Sequence, residues 1–434
     1  MSALFPQRCP GPDFVLKYIA EVLGPSFSVK TLRMPGDLAA YHNLLIQGHN
    51  RLRSPVNASG FSTERNLAVL KALGEFIERY SLLCPPAPQM LRRGTRHDLP
   101  GQALDMAAMP LFSENQCARK DFPWTGFTDS TYDWIEAYNL IDNTPVYVPV
   151  DLLLLHKPSH ISLMGSTGAA AHRNETQALI SAILELVERD ALSIIWETQA
   201  ITPCIPNSAS YLLKETLQTI KQLGKANQDV ILRDMTTDLG IPVAACVILD
   251  RARRRPCLAL GAGAALSHSE ACQKALDEAT AVWLWMRDEH KKSATIFENI
   301  LPLACNAVEP MWQAVLYGFQ EMLPAAYILT EPTLPPKEVS EAEPGLSHSQ
   351  YLERLKGSLA KNRISLYYRS ILPQEFKELG WVAIRAIAPS LVPLAFGNQC
   401  RPLGHPRLLT VPKTRNWAES PRKANVHHAP IPLP

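Results

Sequence analysis

The sequence predicts an α+β protein, with β-sheets layered against helices around a large core. Three observations carry that expectation. Short apolar, β-rich runs such as "DVILRDMTT" and "IPVAACVILD" alternate with helical segments of about twenty residues. The 434 residues, 46% of them hydrophobic, suffice for one big domain with an appendage. Three helical segments also repeat one frame: "ALGEFIER" (72–79), "AILELVER" (182–189) and a weaker echo, "ALDEATAV" (275–282).

Taken in order, residues 1–50 form an N-terminal segment with room for a strand or two, leading into "QGHNRLRSPVNASGF". Ser62 or Thr63 is placed to cap the first glutamate helix, which "CPPAP" (84–88) ends because proline has no N–H to donate. Residues 85–130 read as irregular, and "YDWIEAYNL" and "TPVYVPVDLLLL" read as strands. "GSTGAAAHRNETQ" is a small-residue turn into a second helix at about 175–198, and "CLALGAGAAL" delivers the chain into a third at about 269–289. A core of 51–330 is followed by a linker candidate at 331–350. The C-terminal part, 351–434, holds a helix, the strand pair "ISLYYRSI" and "WVAIRAIA", and a proline-rich tail.

Composition excludes several classes. The 43 basic and 41 acidic residues leave a net charge of +2, with no like-charge run beyond "RARRR" (251–255), so no nucleic-acid or membrane surface is announced. "RARRR" itself reads as a solvated hairpin loop. Nine scattered cysteines without a C-x-x-C pair fit reduced thiols, and no apolar run reaches the ~18 residues of a membrane span. A soluble, cytoplasmic protein is the expectation. His427 and His428 read as exposed, and Trp196, Trp283 and Trp285 as core before adenine platforms.

The glutamate frame asks for a chemical explanation. On a helix Glu75 and Glu78 lie about 60° apart around the axis, as do Glu185 and Glu188, so each pair can address one object. The bland reading pairs Glu75 with Arg79 at i,i+4, worth ~0.2–0.5 kcal/mol. Brought together, Glu75, Glu78, Glu185, Glu188 and Glu278 would repel, by about 4 kcal/mol for two charges 4 Å apart at an effective dielectric near 20. Such a cluster needs cations or shared protons, and Mg²⁺ prefers carboxylate and phosphate oxygens. "GSTGAAA" and "GAGAAL" would let backbone N–H groups approach an anion at a helix N-terminus. Together these features point to a Mg-nucleotide site formed by three helices.

"ASGFSTERNLAVLKALGEFIERYS", "GSTGAAAHRNETQALISAILELVERDA" and "GAALSHSEACQKALDEATA" resemble, in this order, the three nucleotide motifs of the YcaO family. "PSLVPLAFGNQCRPLG" and the Pro430, Pro432, Pro434 alternation look like its azoline-forming branch, used in thiazole/oxazole-modified peptide biosynthesis. The resemblance implies an ATP- and Mg²⁺-dependent cyclodehydratase that converts Cys, Ser or Thr of a ribosomally synthesised precursor peptide to thiazoline or oxazoline by phosphorylating the backbone amide oxygen. It implies nucleotide contacts from Lys71, Glu75, Arg79, Ser166, Thr167, Gly168, Glu185, Arg189, Lys274 and Glu278, and metal contacts from Glu75, Glu78, Gln177 and Glu188. The carboxylate of Pro434 would move protons as the catalytic group. It also implies a ThiF-like or leader-peptide-binding partner, with a flavin dehydrogenase and a second copy of the chain as further candidates. Phe61, Lys71, Thr167, Gln177, Lys274 and Ala281 depart from the family pattern. Lys71, one turn before Glu75, can neutralise it without any metal. A non-catalytic homologue acting as scaffold, and a YcaO enzyme forming thioamides or amidines, are therefore the rival readings.

Overall fold

The computed structural model describes residues 11–32, 41–50, 52–105, 111–120, 122, 130–157, 165–292, 295–305, 311–331, 334–335, 345–397, 401–419 and 429–433. Helices and sheets are layered as the α+β expectation requires. Three strand–turn–helix units organise the molecule, and each contributes one glutamate helix.

In the first unit, a three-stranded antiparallel sheet of Ser28–Leu32, His42–His49 and Pro55–Ser62 runs into the helix Arg65–Leu82. That helix buries Val69, Leu73, Phe76, Ile77 and Tyr80 against Leu44, Ile46 and Val56, and the amphipathic helix Pro12–Leu23 adds Val15 and Ile19 to the same core. In the third unit, Leu258–Ala264 is the edge of an antiparallel sheet that continues through Val243–Asp250 and Gln228–Asp234 to Cys204–Ile205. The helix His268–Glu289 packs on it. Gly60 and Gly263 do equivalent work in these two units. A Cβ on Gly60 would strike the Ala68 carbonyl, and one on Gly263 the Ala271 carbonyl, so glycine lets each helix lie directly on its strand.

The second unit joins Ala169–His172 to the helix Glu175–Thr198, capped by the Asn174 side chain on the Gln177 amide. Ala169–His172 is the edge of a six-stranded sheet that continues through Val382–Ile387, Tyr367–Ser370, Tyr132–Asn139 and Arg92–Gly94, with Pro145–Pro149 also paired to Tyr132–Asn139. Strands from both sides of the 331–350 segment thus share one sheet, and the helix His348–Lys361 begins inside that segment with a Ser347–Gln350 capping box. Residues 332–333 and 336–344 of it lie outside the described residues.

Several local expectations need correction. The N-terminal segment holds a helix as well as two strands. Neither Ser62 nor Thr63 caps the first glutamate helix: its N-cap is Glu64, without a side-chain cap, and the Ser62 hydroxyl accepts from the Glu64 amide one step earlier. "DLLLL" turns into the short helix Val150–Leu153 after the strand Pro145–Pro149, because a short apolar run carries no period that separates strand from helix. "GAGAAL" is not a turn: Gly261 and Gly263 lie within the strand Leu258–Ala264. "RARRR" does form the hairpin connection between Val243–Asp250 and Leu258–Ala264, with Arg254 bonded to Asp250 and Arg251 to Asp229.

Candidate functional site

The first glutamate of each frame does the same thing in all three units. Glu75 accepts a hydrogen bond from the Ser59 amide (2.6 Å), Glu185 from the Gly168 amide (2.9 Å) and Glu278 from the Ala262 amide (2.6 Å). Glu75 and Glu278 therefore tie their helices to the preceding strand, and Glu185 its helix to the turn just before the strand, each with a charge-assisted bond. The amides expected to meet an anion at "GSTGAAA" and "GAGAAL" are, at Gly168 and Ala262, already taken by carboxylates. Lys71 and Lys274 repeat each other as well, donating to the Phe61 and Ala264 carbonyls at 3.0 Å each.

The second and third helices converge on Arg189. Its guanidinium lies 4.0 Å from Glu185, 3.2 Å from Glu188 and 3.7 Å from Glu278, so the second and third helices meet at one cation. The first helix joins through two contacts. Lys71 pairs with Asp277 of the third helix at 3.5 Å, and Glu78 lies within electrostatic reach of Glu185. Glu75 is held by Arg79 at 2.6 Å, so the bland i,i+4 pair exists alongside the strand bond. The expectation that Lys71 neutralises Glu75 is corrected: its ammonium donates to the Phe61 carbonyl and pairs with Asp277 of the third helix.

Charge at this junction is strained. Burial, reinforced by Glu185 and Glu75, holds the Glu78 carboxyl well above the usual carboxylate range. Burial also pushes Glu188 up to about 7, although Arg189 opposes it, with Glu278 and Glu185 adding to the rise. Glu185 is raised by burial too, and Arg189 and the Gly168 amide counter that. Among the described residues Glu78 forms no hydrogen bond or direct ion pair, so its oxygens are the ones left without a partner.

The donor set fits an incoming Mg²⁺. Glu78 and Glu188 offer carboxylate oxygens whose proton affinity is raised by burial, and a divalent cation would relieve that. Among the described residues no three His, Cys, Asp or Glu side chains gather tightly enough to hold a metal unaided. That matches an ion which takes one or two carboxylates and fills its octahedron with water and phosphate oxygens. Gln177 stands apart: eleven residues before Glu188, it is ~16 Å away along the helix axis and its amide contacts His348 at 3.0 Å. Gln177 and Glu188 therefore cannot ligate one ion.

Ser166, Thr167 and Gly168 form the turn before the second unit. Thr167 is buried, and Gly168 has φ +84 with its Cβ position blocked by the Ala386 carbonyl, which is why glycine is required there. Pro434, His427 and His428 lie outside the described residues. The preceding tail is held in place: Trp196 donates to the Ala429 carbonyl (3.0 Å), Tyr317 to the Pro430 carbonyl (2.6 Å), and Ile431 and Leu433 are buried. Trp196 and Trp283 are core residues, as expected, and Trp285 packs at the core's edge. Arg385 and Asp277 were not anticipated. A lone arginine inside "WVAIRAIA" was the available signal for the first, and the shared "KALGE" and "KALDE" of the first and third units for the second.

A family model described as YcaO cyclodehydratase, ATP- and Mg²⁺-binding, matches residues 59–392, more than half of the chain. The chain belongs to the YcaO family. A 27% identical relative, an uncharacterized protein of Methanothermobacter thermautotrophicus, aligns over 51% of this YcaO chain and 55% of its own length. A heterocyclase solved in complex with substrate and cofactor superposes with a TM-score of 0.75 at 20% identity, covering 100% of this chain and 59% of that one. The YcaO protein of Methanopyrus kandleri, bound with AMPPCP and Mg²⁺, gives 0.63 at 18% identity over 88% of this chain and 91% of its own. The E. coli microcin synthetase McbBCD complex with pro-MccB17 bound gives 0.55 at 14%, over 84% and 88%. This chain thus spans little more than half the length of the first two proteins. At these identities the structural likenesses establish the YcaO fold. No helix among the described residues is long and apolar enough to cross a membrane.

Proposed function

We propose that this YcaO chain is an ATP- and Mg²⁺-dependent cyclodehydratase that forms thiazoline or oxazoline rings in a ribosomally synthesised precursor peptide. The observation that carries the reading is the meeting of the second and third glutamate helices at Arg189, joined by the first through Lys71–Asp277, with the Glu78 and Glu188 carboxyls both raised by burial. Bound ATP would supply the phosphoryl group that turns the amide oxygen, after attack by a Cys, Ser or Thr side chain, into a leaving group. This chain's part is placement. Glu78 and Glu188 would hold a cation, Arg189 keeps Glu185, Glu188 and Glu278 together, and the Lys71 and Lys274 ammonium groups would offset phosphate charge. Glu75 and Glu278 fix their helices to the preceding strands, and Glu185 fixes its helix to the turn that Ser166, Thr167 and Gly168 shape. The Pro434 carboxylate remains the proposed proton carrier.

The likeness to a heterocyclase in complex with substrate and cofactor and to the McbBCD complex with pro-MccB17 bound supports a precursor peptide and a partner protein. The partner would be a ThiF-like or leader-peptide-binding protein, and a cytoplasmic setting suits such a pathway. The test is mass spectrometry of the precursor peptide after incubation with chain, partner and Mg-ATP: loss of one water per modified residue is expected. Exchange of oxygen for sulfur would instead identify thioamide formation. A second reading, a non-catalytic scaffold, is favoured by the Lys71–Asp277 and Glu75–Arg79 pairs, which neutralise charges without a ligand. An unchanged peptide mass together with absent Mg-ATP binding would select it.

A further inference from the structure

We propose that Arg385 is a positioning residue of this site: its guanidinium anchors the 165–168 turn that orients Glu185 of the second helix. The inference rests on the nucleotide reading above and deepens it.

Arg385 is fully buried in the strand Val382–Ile387, opposite Ala169 in the sheet register. Its Nη2 donates to the Gly165 carbonyl at 2.9 Å, while Nε and Nη1 are buried without a hydrogen-bond partner. An apolar side chain would fill such a place at far lower desolvation cost, so the cation needs a reason. The reason lies on the two helices packed against the strand. Glu78 from one and Glu185 from the other are the carboxylates that act on the guanidinium, and neither closes to direct ion-pair contact. Of the other cations, Arg79 is paired with Glu75, and Arg189, 4.0 Å from Glu185, lies closer to Glu188 and Glu278.

A mechanical path runs the same way. Arg385 fixes Gly165 at the start of the turn, its neighbour Ala386 donates to the Gly168 carbonyl at 2.7 Å, and the Gly168 amide donates to Glu185. The strand thus grips both ends of the turn that orients Glu185. Without the guanidinium the turn loses its first anchor, and Glu78 and Glu185 lose a buried cation that acts on both.

The experiment compares wild type, Arg385→Met and Arg385→Lys in the full chain, by calorimetric titration with Mg-ATP and by turnover of precursor peptide. Arg385→Met is expected to weaken Mg-ATP binding about tenfold or more, raising KM for ATP while kcat at saturation falls less than about threefold. Arg385→Lys, which keeps the charge and a donor for Gly165, should recover a measurable part; a merely space-filling role predicts no such recovery. Binding within about twofold of wild type in Arg385→Met, or a lysine variant no better than methionine, overturns the assignment. If Arg385→Met does not fold, Arg385→Gln, which keeps a donor without the charge, is held to the same thresholds. Absence of binding by wild type removes the nucleotide reading and this assignment together, whereas wild-type binding that the variants leave intact removes the assignment alone.

Discussion

Replacing Lys71 by methionine separates a structural lysine from a phosphate-binding one. The Lys71 ammonium makes a 3.5 Å pair with Asp277 and a 3.0 Å bond to the Phe61 carbonyl, with the lysine side chain 43% exposed. A pair that exposed contributes about 0–1 kcal/mol. The carbonyl bond adds about 0.5–1.5 kcal/mol, toward the low end at a half-exposed position. Lys71→Met should therefore cost no more than about 2 kcal/mol of stability, read by urea or thermal unfolding. In the proposed holo state the same group faces triphosphate oxygens, and its loss should weaken Mg-ATP at least about tenfold, or ~1.4 kcal/mol, by calorimetric titration. Lys71→Arg should retain most of the affinity. A variant that loses stability but binds Mg-ATP as tightly as wild type would refute the reasoning and leave Lys71 a helix-to-helix tie.

Other expectations concern different links. Because the folded-state value of Glu188 is raised from 4.5 to about 7, the folded chain keeps a proton that the unfolded chain releases, so this group lowers stability as pH rises through that window. Glu188→Gln should flatten that part of the stability–pH curve, and an unchanged slope would contradict the burial that raises Glu188. Tyr317→Phe removes the buried 2.6 Å bond to the Pro430 carbonyl; carboxypeptidase digestion followed by mass spectrometry should trim the variant's tail faster, with Mg-ATP affinity retained. Equal trimming would mean that the Tyr317 bond does not hold the tail. Gly168→Ala, at φ +84 and against the Ala386 carbonyl, should cost about 1–3 kcal/mol of stability in chemical unfolding; a neutral result would refute the need for glycine at the turn.

What could be read in advance follows from how local the signal was. The second glutamate helix lies at its expected bounds because the small-residue turn "GSTGAAAHRNETQ" marks its start and the Glu frame its interior. The pairing of "ISLYYRSI" with "WVAIRAIA" was legible as two nearby β-rich runs. The helix Pro12–Leu23 escaped because no side chain caps it, although proline near its start and Gly24 after its end were available cues. Gly261 and Gly263 misled because glycine serves turns and close packing alike, and only the third helix lying on the strand decides between them. At the site, residue types and helix membership were legible, but directions were not. Whether Glu75 faces a metal or the Ser59 amide, and whether Lys71 faces Glu75 or Asp277, depends on how strands and helices stack across hundreds of residues. Arg385 was illegible for the same reason: its partners Gly165, Glu78 and Glu185 come from far earlier in the chain.

The most direct measurement is calorimetric titration of the chain with Mg²⁺ and a non-hydrolysable ATP analogue, alone and with partner protein and precursor peptide, alongside Glu78→Gln and Glu188→Gln. Saturable one-site binding that requires Mg²⁺ and is weakened by either substitution is the expected result. No heat of binding under any of these conditions, or binding indifferent to both carboxylates, would contradict a magnesium-nucleotide site at the junction of the three helices.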